Sequence, residues 1–142
     1  MTAERLFVAW AFVFQAALIV HFALRKWFFA AYVQPWGWLF YALSLPAVAI
    51  SLVILAAKRP WPLWLGGFLF LAWAALGVTV EYVVKNTSWR QPIQWPIFGP
   101  YVLLYLATVM FYWFPVANVS RPSWYLLAIM FLISTALNLS SH

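Results

Sequence analysis

The chain has 142 residues, with 8 Lys and Arg against 2 Asp and Glu, a formal net charge of +6, and 68% apolar and 22% aromatic positions. Charged residues make up 7% of the chain, where soluble domains use about a quarter, so a water-solvated surface and intrinsic disorder are both excluded. With no Cys, so are a disulfide scaffold and a thiolate metal site. The remaining reading is an all-α, multi-pass integral membrane protein, a compact bundle of five transmembrane helices forming a single domain over residues 1–142.

A helix needs roughly 20 apolar residues to cross the hydrocarbon layer. Taken in chain order, the first such window runs from Leu6 to Leu24 and stops at Arg25-Lys26. It is read as a retained helix, because its apolar run is long and no small-residue cleavage site follows. The second, Trp38 to Ala57, stops at Lys58-Arg59-Pro60, and Pro46 within it predicts a kink. The third, Leu63 to Val84, ends at Lys85-Asn86. A Pro-studded connector, Trp89 to Pro96, leads to the fourth, Ile97 to Phe114, and Arg121-Pro122 introduces the fifth, Ser123 to Leu139. The last two windows hold 18 and 17 residues, so four helices plus a short hairpin is the alternative architecture. Alternating segments for a barrel are missing.

Five crossings place Arg5, Lys58, Arg59 and Arg121 on one face, side A, and Arg25, Lys26, Lys85 and Arg90 on the other, side B. Four against four gives no orientation by the positive-inside rule. Charge spread over both faces also argues against a nucleic-acid partner and for contact with lipid headgroups. Many of the 11 Trp residues lie at predicted helix ends, as an interfacial belt requires, while Trp10 and Trp73 fall deeper and need packing partners or a ligand.

Polar and small residues of a lipid-bathed helix face other helices, so their spacing marks the buried stripes. Tyr101, Tyr105, Thr108 and Tyr112 recur at helical offsets in the fourth helix, as do Tyr41, Ser44, Ala47 and Ser51 in the second. Gly67, Ala74, Gly77 and Glu81 share a line in the third, and Ser134 and Asn138 in the fifth. Gln15 sits mid-span in the first and needs a partner on a neighbouring helix or a second copy. Alternating chain direction then gathers His21, Tyr41, Glu81, Tyr101 and Asn138, with His142, near side B. The expectation is a polar, aromatic-lined pocket with Glu81, Tyr101, Tyr105, Thr108, Tyr41, His21 and Asn138 as ligand-binding residues. The competing reading of Glu81 is structural: an i,i+4 pair with Lys85, or a staple to Arg25 or Arg90.

Motifs for soluble chemistry are missing: no phosphate loop, no metal-ligand spacing and no nucleophile elbow. No cofactor, metal or catalytic residue is therefore assigned, and a bis-histidine haem would need His21 to meet the terminal His142. The stretch Trp89 to Met110, with Pro92, Pro96, Phe98-Gly99-Pro100 and Leu104-Tyr105, is similar to the Pro/Trp-rich loop and following helix of the tryptophan-rich sensory protein (translocator protein) family. That family comprises small five-helix proteins that bind porphyrins and hydrophobic ligands. The similarity covers about a sixth of the chain, precedes the fourth helix where the family's motif precedes the second, and lacks the paired prolines and the Val-Trp. It is read as loop physics, Pro stopping one helix and opening the next.

The expected function is binding of a hydrophobic or cationic amphiphilic small molecule, or a lipid, between the tyrosine stripe and Glu81. Two alternatives stand beside it: a proton-coupled transporter acting as a homodimer, and an accessory subunit of a larger membrane complex. An enzyme using Glu81 as acid/base comes last.

Overall fold

The computed structural model describes residues 2–86, 89 and 92–140; Arg90 and His142, used above for the charge count and the haem geometry, lie outside the described residues. The first helix, α1 (Ala3–Trp27), is opened by the Thr2 hydroxyl, which accepts the Arg5 N–H at 3.2 Å. Glu4 in its first turn and Arg25 and Lys26 in its last complement the helix dipole.

The second span is broken twice, into α2 (Phe29–Trp36), α3 (Trp38–Ala42) and α4 (Ser44–Ala56). Pro46 offers no N–H to the Ala42 carbonyl, and the break at Leu43 falls where that missing bond leaves the turn open. The expected kink is thus found. The helical stretch begins earlier than expected, however, because residues 29–36 form a helix in what composition suggested was a connector.

The third span is α5 (Trp61–Val78), which widens into a π turn over Thr79–Val83. The Val84 N–H reaches the Thr79 carbonyl, five residues back, at 2.8 Å. Lys85 then adopts a left-handed backbone, φ 61°, and ends the helix. The fourth span is α6 (Trp95–Trp113) followed by a 3₁₀ turn, Phe114–Asn118, and the fifth is α7 (Arg121–Ser140). At the start of α7 the Ser120 hydroxyl accepts the Ser123 N–H at 3.4 Å.

Among the described residues the chain is all-helical, and five helices are long and apolar enough to cross a membrane: Ala3–Trp27, Phe29–Ala56, Trp61–Val83, Trp95–Asn118 and Arg121–Ser140. The last two reach 24 and 20 residues, longer than their apolar windows suggested, because the 3₁₀ turn and Arg121-Pro122 extend them.

Helix α5 lies between α4 and α6, while α1 packs across α4, α6 and α7. Two glycines of α5 permit close approach by the second span. A Cβ on Gly67 would meet the Ala47 carbonyl oxygen at 2.6 Å and the Ser51 hydroxyl; one on Gly77 would meet the Tyr41 ring at 2.5 Å. The core is aromatic. Phe7, Phe14 and Phe22 form one face of α1, and Phe14 lies 5.1 Å from Phe70 and 4.8 Å from Tyr112 between ring centroids. Trp73, fully buried, stands edge-to-face with Phe40, Tyr41, Tyr101 and Tyr105 at 5.4–6.3 Å.

Candidate functional site

Glu81 sits in the π turn of the third span, fully buried, at the end of the bundle where α1 finishes. Arg25, 1% exposed, reaches it from the last turn of α1, its Nη1 lying 2.9 Å from Oε1 and 2.7 Å from Oε2. The Tyr41 hydroxyl donates to Oε1 at 3.0 Å and lies 3.4 Å from the Tyr101 hydroxyl. Above the guanidinium lie the rings of Phe29 and Trp89, with centroids 5.4 and 5.9 Å from Cζ. Trp89 itself packs 4.6 Å from Tyr101. The Pro-rich connector therefore lays one buried indole over the ion pair.

The surrounding backbone is tied to the same turn. The Gln34 amide donates to the Glu81 carbonyl at 3.0 Å, and the Tyr82 hydroxyl donates to the Val33 carbonyl. Helix α2 is thereby strapped across the π turn in both directions. Four spans meet at this pair: α1 through Arg25, the second through Tyr41 and Gln34, the third through Glu81, and α6 through Tyr101. A carboxylate and a guanidinium with this much hydrogen bonding compensate each other's desolvation. Removing one partner would strand a buried charge, at about 3–5 kcal/mol. A cationic ligand at Glu81 would have to displace Arg25.

His21 lies one turn before Arg25 and is buried beside the cluster, its ring 5.7 Å from that of Tyr41. Its Nδ1 is 2.7 Å from the Tyr32 hydroxyl and its ring stacks on Phe40 at 4.3 Å, with 16° between planes. These groups form the polar floor of a groove of about 480 Å³ between α1 and the second span. Its walls are Ala16, Ala17 and Val20 on one side and Leu39 and Leu43 on the other. The groove opens sideways, toward whatever surrounds the bundle.

Tyr105 and Asn138 belong to a third group. The Tyr105 hydroxyl lies 3.0 Å from Thr135 Oγ1 and 3.4 Å from Ser134 Oγ, and it also hydrogen-bonds Asn138, which ties α6 to α7. Ser134 Oγ in turn stands 3.4 Å from Gln15 Oε1, so the mid-span amide of α1 finds its neighbouring helix. Gln15 Nε2 is buried with no acceptor among the described residues, as is the Trp73 indole N–H. Thr108 turns back on its own helix, donating to the Leu104 carbonyl at 2.7 Å.

Of the seven residues expected to form one pocket, the structure joins Glu81, Tyr41 and Tyr101 around Arg25, sets His21 beside them, places Tyr105 with Asn138 on the α6–α7 seam, and leaves Thr108 bonded to its own helix. Sequence reasoning missed Tyr32 and Phe40 as partners of His21, and Gln34 as a strap on Glu81. Tyr32 and Gln34 carried no signal, since their segment looked like a connector. Phe40 sits next to Tyr41 and was indistinguishable from any other apolar residue of the window. Comparison with known proteins returns no matching family model, no matching curated protein and no matching solved structure.

Proposed function

We propose that this chain is a multi-pass integral membrane protein that binds a hydrophobic small molecule or lipid-like amphiphile in the lateral groove between α1 and the second span. The observation that carries this reading is the groove itself. It offers about 480 Å³ walled by small and aliphatic side chains, with one polar pair, His21 and Tyr32, at its floor. Ligand pockets commonly fall in the range of roughly 300–1,000 Å³ and are apolar, with a few convergent polar groups that set orientation. The five apolar helices support the membrane setting, in which a sideways opening admits a ligand from the bilayer. In this reading Glu81 belongs to the frame, neutralised by Arg25, and the ligand's polar end addresses the His21–Tyr32 pair. No catalytic role is assigned.

Native mass spectrometry of the detergent-extracted protein tests the proposal, because one spectrum reports retained small molecules, copy number and co-purifying chains. A discrete adduct on the wild type that is lost when Ala17→Trp fills the groove, with unchanged melting temperature, is the expected result. An adduct of equal mass and occupancy on both proteins would rule the groove out.

The accessory-subunit reading has one observation in its favour. Helix α7 has the lowest share of buried residues among the five spans, 17%, and presents Tyr125, Leu126, Ile129, Leu132 and Ile133 outward. Partner chains in the same spectrum, lost on Ile129→Asn, would favour it.

A further inference from the structure

At the opposite end of the bundle from Arg25 and Glu81, two cavities share walls. One, of about 290 Å³, lies between the start of α1, the 57–60 turn and the 3₁₀ turn after α6, with Glu4, Arg59 and Asn118 as its polar lining. The other, about 240 Å³, is wholly apolar and lined by Met110, Phe111 and Phe114. Pro62 and Pro115 belong to both. A charged and a greasy compartment thus stand back to back across two rigid rings.

The charged compartment carries one group of each sign. Arg59 Nη1 lies 3.1 Å from Glu4 Oε1, with the side chains 46% and 29% exposed. An exposed pair of this kind contributes little to stability, so a ligand that offers both partners can open it at little cost. The arginine is also held in place by its backbone: Lys58 before it is left-handed, φ 56°, and Pro60 follows. In contrast to the Arg25–Glu81 pair, which is sealed, this pair faces out at the level where the helices begin and end.

We infer that the Glu4–Arg59 cavity and the adjoining Phe111 cavity form one binding site for a phospholipid with a zwitterionic phosphate–ammonium headgroup. The phosphate sits on the Arg59 guanidinium, the primary ammonium on the Glu4 carboxylate, and the Asn118 amide is within the same headgroup compartment. An acyl chain follows Pro62 and Pro115 into the apolar cavity. A purely anionic headgroup would satisfy Arg59 and meet repulsion from Glu4. A choline headgroup has the charge but no N–H to give the carboxylate. The inference uses the membrane setting proposed above and is independent of the His21 groove.

The test is a titration of the full chain in detergent, read by native mass spectrometry, with phosphatidylethanolamine, phosphatidylcholine and phosphatidylglycerol of identical acyl chains. Recovery of the protein only in detergent, checked first, separates failure of the membrane setting from failure of the site. The expected result is one tight phosphatidylethanolamine adduct, bound about fivefold more tightly than either other lipid. Glu4→Gln removes that preference, weakening phosphatidylethanolamine through the lost ammonium contact and strengthening phosphatidylglycerol through the lost repulsion, while Arg59→Gln weakens all three lipids, whose phosphates it holds. Met110→Trp, which fills the apolar cavity, weakens all three lipids, and Lys26→Gln at the other end changes none. Equal binding of the three lipids by the wild type overturns the inference without recourse to any variant. So does displacement of the lipid by soluble glycerophosphoethanolamine at matching concentration, which would mean that the acyl compartment adds nothing.

Discussion

Glu81 shows how one buried carboxylate can be read two ways until its neighbours are known. An unpaired acid at that depth would be a binding or proton-exchange group; paired through both oxygens with Arg25 and bonded to Tyr41, it is a junction between helices. Were Glu81 a ligand-binding residue, as one reading of the sequence has it, Glu81→Gln would weaken a ligand while sparing the fold. The geometry predicts a different outcome. Glu81→Gln and Arg25→Met should each lower stability by about 3–5 kcal/mol, because each leaves the other member unmatched in a dry site. The double variant Arg25→Met with Glu81→Met should recover much of the loss. Melting curves of the detergent-solubilised proteins decide this, and a double variant as unstable as the sum of the singles would show that the pair is not a unit. At the groove, Tyr32→Phe deletes the hydroxyl 2.7 Å from His21 Nδ1. It should weaken retention of the proposed ligand about tenfold or less, with little change in melting temperature.

Among the elements, the second and third spans carry the departures from regular helix that build the site. Breaks at Gly37 and Leu43 let α2 and α3 turn Tyr32, Gln34, Phe40 and Tyr41 toward α1 and the π turn, which a straight helix through residues 29–56 would present differently. Pro46 made one break legible; Pro35 and Gly37 were present in the sequence, but so were Pro100 and Gly99, which sit within an unbroken α6. Close packing of α4 on α5 depends on Gly67, whose missing Cβ leaves room for the Ala47 carbonyl. Gly67→Ala should therefore destabilise by about 1–3 kcal/mol, since backbone must move. Gly99→Ala, with open space around it, should be neutral or slightly stabilising because alanine favours helix. Equal melting temperatures for the two variants would count against this account of the interface.

For the whole molecule, alternating helix direction is supported by what meets at each end. Arg25, Tyr41, Glu81 and Tyr101 come together at one end. At the other, Glu4 pairs with Arg59 and Trp61 lies 5.6 Å from Phe111. In the proposed membrane setting, Lys26→Cys and Lys58→Cys should be labelled by an impermeant thiol reagent from opposite sides of intact vesicles. Complete labelling of both from one side would contradict the five-crossing arrangement, whereas partial labelling of each, summing to one, is the signature of two coexisting orientations.

Composition alone determined that the chain is far more apolar than an ordinary soluble domain, with 7% charge, and apolar windows bounded by Arg, Lys and Pro determined five helices long and apolar enough to cross a membrane. Periodicity then picked the inward faces: Tyr101, Tyr105, Thr108 and Tyr112 on α6, and Gly67, Ala74, Gly77 and Glu81 on the third span, are all buried. These features are local, since hydrophobicity and the 3.6-residue repeat act along one helix at a time. Only the tertiary structure decided that Glu81 belongs to Arg25, that His21 belongs to Tyr32 and Phe40, and that Tyr105 leans to α7. Such pairings depend on how helices rotate and cross. Those angles are set by side-chain interdigitation and by breaks at Gly37 and Leu43, between residues far apart in the chain.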